Sequence, residues 1–118
     1  MKTLKFKGDN LYLEVGQYMN GRIAIIAYTE DDLYGDITKN LPYTYLKNDK
    51  GGFINEFTKS GGLESKLIKE GIIEKVIDTV QYNMGKYDEV IFNIEKLREY
   101  DKDGVDKYLE SITEEEFE

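Results

Sequence analysis

The chain has no histidine and no cysteine among its 118 residues, and a single proline, Pro42. Without imidazole or thiol there is no Ser-His-Asp triad, no Cys-His pair and no imidazole metal site. Thiolate zinc sites and disulfides are excluded as well. An enzyme built on this chain would have to work with carboxylates, lysine or tyrosine. Long apolar runs are also missing. The longest, Ile23 to Tyr28, is far too short to span a bilayer. Met1 to Lys7 alternates charged and apolar types, unlike the apolar core of a signal peptide. A disulfide-free chain suits a reducing compartment, so a cytoplasmic location without membrane contact is expected.

What the chain does have is acid. Asp and Glu number 24 against 16 Lys and Arg, a net charge of −8. The charge is uneven: Glu95 to Glu118 holds ten acids and four bases, so six of the eight net charges lie in the last 24 residues. Such a chain repels phosphates, so direct nucleic-acid binding is not expected. Basic partners are favoured and their encounter is accelerated. The 40% hydrophobic content, with ten Tyr and five Phe, is enough for a packed core and too much for disorder. The length suits one domain. We place a single α+β domain at 1–113 and an acidic, frayed tail at 114–118.

Hydrophobic spacing orders the elements. Leu4 and Phe6 face one way and Lys5 and Lys7 the other, a half-buried strand. Leu11, Leu13 and Val15 form one face of a second strand. Asn20-Gly21 then predicts a type I′ hairpin turn. Arg22 to Tyr28 is apolar on both faces, which places it centrally. Leu33 to Thr38 and Gly52 to Phe57 are further strand candidates, with Pro42 to Lys47 extended or a loop. Leu63 to Glu70 is an amphipathic helix, started by Ser60 or Gly62 and ended by Gly71. Ile72 to Tyr82 has helical spacing at Ile73, Val76, Ile77 and Val80, yet its β-branched content favours a strand. Tyr87 to Asn93 is a final strand. Ile94 to Tyr100 and Gly104 to Ile112 are helical. Strands cluster early and helices late. The expected architecture is an antiparallel sheet of about five to six strands, with a central helix and C-terminal helices packed on one face.

Three groups of residues are candidates for contact with a partner. Glu30, Asp31 and Asp32, with Asp36, follow a buried strand, where functional loops often sit. They lack the ligand register of an EF-hand; a solvated loop or contact with a basic partner are the competing readings. Tyr43 and Tyr45 lie beside the proline in a loop, and tyrosine is enriched at protein interfaces. Glu95, Glu99, Asp103, Asp106 and Glu110 recur at spacings of four, four, three and four, one face of a continuous helix. That face would mimic phosphates, although Gly104 would interrupt it; a merely solubilising surface is the alternative. Ser60-Gly61-Gly62 precedes a helix but lacks the Walker lysine, so it reads as a turn. No catalytic residue, metal or cofactor is expected.

The stretch Y-M-N-G-R-I-A-I-I-A-Y followed by L-Y-G-D-I-T-K-N-L, Tyr18 to Leu41, resembles an uncharacterised bacterial family labelled as a domain of unknown function. Tyr34 and Thr38-Lys39-Asn40-Leu41 stand where that family has its second motif; Lys39 departs from the usual apolar residue. The resemblance covers about half the chain and its motifs are structural. It implies a gene of phages, plasmids or conjugative elements. Small acidic proteins of that origin often inhibit host defences. The resulting expectation is a non-enzymatic anti-defence protein, of anti-CRISPR or anti-restriction type, that binds a basic host protein such as a CRISPR effector or restriction nuclease. The alternative is an accessory module of a mobile element, homodimeric through a sheet edge.

Overall fold

The computed structural model describes residues 2–116. Its elements run β1 (Leu4–Phe6), β2 (Asp9–Gln17), β3 (Ile23–Tyr28), β4 (Leu33–Asp36), β5 (Thr38–Lys39), β6 (Gly51–Ile54), α1 (Glu56–Ser60), α2 (Leu63–Lys69), β7 (Ile73–Tyr82), β8 (Gly85–Phe92), α3 (Ile94–Arg98) and α4 (Lys102–Glu116). The α+β class is as expected. The single sheet of five to six strands is not: there are two antiparallel sheets of four strands, ordered β1-β2-β3-β4 and β5-β6-β8-β7.

The reason lies at Ile37. Leu33 to Asp36 pairs with β3, whereas Thr38 and Lys39 pair with β6. Between them the Ile37 N–H donates to Ile25 and its carbonyl accepts from Asn55, each at 2.9 Å. One extended segment thus leaves one sheet and enters the other. Its Ile37 side chain is fully buried. Gly52 allows the sheets to approach: a Cβ there would lie 3.1 Å from the Phe92 ring and 3.4 Å from Ile23.

The faces follow the period-two pattern. Leu11, Leu13 and Val15 of β2 are buried, as are Ile23, Ile25 and Ala27 of β3. They join Leu63, Leu67, Phe92, Leu97, Val105 and Tyr108 in one continuous core. Helix α4 packs on β2, and α2 on β7. Ile73–Tyr82 is a strand, so β-branching prevailed over helical spacing there. It pairs with β8 through two irregularities in register.

Several local expectations change. The type I′ turn is not at Asn20-Gly21, where only Gly21 has a positive φ, of 89°. Tyr18 and Arg22 bracket a three-residue loop, in which a single left-handed residue suffices. Lys7 and Gly8 instead both have positive φ, 49° and 86°, and join Phe6 to Asp9 in the two-residue geometry that type I′ demands. The strand expected over Gly52 to Phe57 stops at Ile54. Asn55 accepts the Phe57 N–H and starts α1. The C-terminal break falls at Glu99–Asp101 rather than at Gly104, which sits inside the first turn of α4. The helix runs to Glu116; residues 117–118 lie outside the described ones. Among the described residues, no helix is long and apolar enough to cross a membrane.

Candidate functional site

Antiparallel register decides which acids meet. Tyr12 pairs with Tyr28, so the turn leaving β3 lies beside the turn entering β2. Together they form a concave notch of about 290 Å³. Its walls are the Gly8–Asn10 turn, Tyr12, Thr29, Glu30 and Asp31. The loop is held in shape from within. The Thr29 N–H donates to the Asp32 carbonyl at 2.8 Å, and the Asp32 N–H to Thr29 Oγ1 at 3.1 Å. Asp32 Oδ1 accepts the Leu33 N–H at 2.8 Å. Glu30, Asp31, Asp32 and Asp36 are exposed. So is Asp9, a member of the notch that no local signal singles out; only the β2–β3 register reveals it. Among the described residues, none of these five acids is in an ion pair. No group of three acids there could hold a metal ion.

Two of the five C-terminal acids behave differently. With the helix interrupted after Arg98, Glu95 and Glu99 no longer share a continuous face with Asp103, Asp106 and Glu110. Glu99 is paired with Lys2 at 3.1 Å and Lys96 at 3.6 Å. Hydrogen bonding to Lys2 holds its carboxyl below the usual range. Asp106 accepts from Arg98 at 2.8 Å and pairs with Lys102 at 3.1 Å. Those bonds, the Arg98 one first, lower it to about 2. A shallow hollow here is lined by Glu95, Arg98, Glu99 and Lys102, two acids and two bases. Glu95, Asp103 and Glu110 remain exposed.

Tyr43 and Tyr45 project into solvent, 91% and 80% exposed, from a loop fastened at its base. Arg22 donates from Nη1 to the Leu41 carbonyl at 2.7 Å and from Nη2 to Thr44 at 2.6 Å. Its guanidinium lies over the Phe53 ring, 5.8 Å from the centroid. Asn20 donates to Asn40 at 3.0 Å, and the Lys47 N–H to Glu89 at 2.8 Å. This loop stands at the β2–β3 hairpin end of the first sheet and the acidic notch at the other. The length of β3, roughly 20 Å at about 3.3 Å per residue, separates them.

Fold and site together define a small α+β scaffold with free negative charge on a turn pair and aromatic side chains on a fastened loop. A family model described as a domain of unknown function, DUF4313, matches residues 12–112, and the chain belongs to that family. No curated protein and no solved structure matches it.

Proposed function

We propose that this chain is a non-enzymatic binding protein of a mobile element. It offers the acidic end of its first sheet to a basic, nucleic-acid-handling host protein, a CRISPR effector or restriction nuclease, and so blocks that protein's substrate. The observation that supports this reading is the contrast in charge state. Among the described residues, Asp9, Glu30, Asp31, Asp32 and Asp36 have no cation within ion-pair distance, whereas Glu99 and Asp106 are already neutralised. Unpaired carboxylates on a rigid loop accelerate encounter with a cationic groove without first breaking internal pairs. Tyr43 and Tyr45, held by Arg22, supply rigid contact area at low entropic cost. The alternative of edge-to-edge pairing between copies finds less support: irregularities such as the two in β7 blunt an edge against strand addition.

The test is a DNA-cleavage assay against a panel of such nucleases at low salt, with the parent chain and a variant carrying Asp9→Lys, Glu30→Lys and Asp31→Lys. The parent inhibits at least one enzyme. The reversed variant, folded by circular dichroism, is weaker by about tenfold or more, roughly 1.4 kcal/mol. Reversal of Glu95, Glu99, Asp106 and Glu110 has the smaller effect. Equal inhibition by parent and notch variant would reject the acidic notch as the contact surface.

A further inference from the structure

Beneath α1 and α2 lies a pair of carboxyl groups that the acidic notch does not include. Glu64, on the first turn of α2, is 6% exposed, and Asp88, on β8, is 5% exposed. Their carboxyl groups are neighbours in this buried space. Two carboxylates so placed, away from solvent, repel one another, so one of them keeps its proton. Asp88 also accepts from Lys59 Nζ at 3.1 Å and from Thr79 Oγ1 at 2.8 Å, which marks it as the ionised member. Glu64 Oε1 is buried and has no hydrogen-bond partner among the described residues, a state that a neutral carboxyl tolerates far better than a carboxylate. The charged groups that face Glu64 are Asp88 from β8 and Lys59 from α1. Thr79 of β7 adds a neutral hydroxyl, and within α2 Lys66 is paired with Glu70 at 2.8 Å.

We infer that Glu64 and Asp88 form a one-proton latch that fastens α1 and α2 to the β7–β8 hairpin and loosens when the proton is lost. Burial, then the neighbouring Asp88 carboxylate, pushes Glu64 up to about 7. Burial alone would push Asp88 up as well, but the bonds from Thr79 and Lys59 hold it below its ordinary range. Once Glu64 ionises, two like charges touch in a desolvated place, with a single, half-exposed lysine between them and repulsion. The helices that would yield also cover the edge of the first sheet. Phe57 of α1 lies over Gly35 of β4, and the Thr58 hydroxyl donates to the Ile37 carbonyl at 3.2 Å. The latch therefore couples protonation to exposure of β4, a strand outside the pair itself.

The experiment is a carbon-13 carboxyl titration of Glu64 alongside amide hydrogen exchange, corrected for intrinsic rates, in the parent and in Glu64→Gln. The amide of that variant keeps a donor toward Asp88 at every pH. In the parent, Glu64 titrates near 7 instead of near 4.5. Protection of the β7–β8 amides falls about tenfold between about pH 6 and about pH 8.5, and in Glu64→Gln it stays flat. In Asp88→Asn, which removes the like charge, the Glu64 midpoint drops. A parent midpoint in the ordinary glutamate range, a midpoint unmoved by Asp88→Asn, or the same protection profile in parent and Glu64→Gln would each overturn the latch.

Discussion

Asp101 governs how the last helix meets the first sheet. Its Oδ2 accepts the Val15 N–H of β2 at 2.9 Å, and its Oδ1 accepts the Gly104 N–H at 3.1 Å. One side chain thus caps α4 and satisfies a strand amide 86 residues away in sequence. Asp101→Ala removes both bonds and is expected to cost about 2 kcal/mol, read as a lower urea midpoint with an unchanged slope. Gly104 is the necessary companion, since a Cβ there would collide with the Asp101 carboxylate and the Val15 carbonyl. Gly104→Ala should cost about 1–3 kcal/mol by overpacking, in the same assay. Arg22 shows a similar economy. Arg22→Lys keeps the charge but loses the planar fork that reaches two carbonyls at once. The expected result is faster proteolytic cleavage within 40–47, with the secondary structure intact. None of these roles has a local signature. Asp101 is one acid among many in that stretch, and its partner is specified by the path of the chain.

At the scale of elements, the β7–β8 ladder places Asp78 directly opposite Glu89, a like-charge pair that opposes strand pairing. Lys47 reconciles them. Its ammonium pairs with Asp78 and stands 4.0 Å from Glu89, while its backbone N–H donates to Glu89. Glu89 is fully buried, so losing the cation costs more than an exposed pair would suggest, while the solvent around Lys47 limits the effect. Lys47→Ala should lower the thermal midpoint, and Glu89→Gln in the same chain should restore part of the loss. Strict additivity of the two substitutions would refute the coupling. The strands of this ladder were readable from β-branched residues, as were β2 and β3 from alternation. α1 was missed, although Asn55-Glu56 is a fair start signal. The preceding Gly-Phe-Ile run reads as a strand, and five residues are too few to show a helical period.

For the whole molecule, two sets of carboxyl groups pull stability in opposite directions with pH. Asp106, Glu99, Asp78 and Glu70 are held low by their Arg and Lys partners. Their contribution is present above the ordinary carboxylate range and is lost as pH falls toward about 2. Glu64 is held high, so its contribution is complete below 4.5 and disappears as pH rises through about 7. Thermal unfolding should therefore show a maximum between about pH 4.5 and about pH 6, falling on both sides. A curve still rising to pH 8 would contradict the assignment of Glu64. At pH 7 the net charge of −8 opposes compactness, and exposed ion pairs return little. Added salt should then raise the midpoint by screening the repulsion.

Composition and periodicity alone establish an acidic α+β chain with a real core, most of its strands, its central helix, and the absence of imidazole and thiol chemistry. These are properties of single residues and short windows, where spacing reports directly on which side chains face inward. The division into two sheets, the notch that joins Asp9 to Glu30 and Asp31, the neutralised Glu99 and Asp106, and the buried Glu64–Asp88 pair come from contacts between distant segments. Their positions depend on register and on one strand changing sheets at Ile37, and a carboxylate's charge depends on the neighbour it meets in space. Local sequence carries neither quantity.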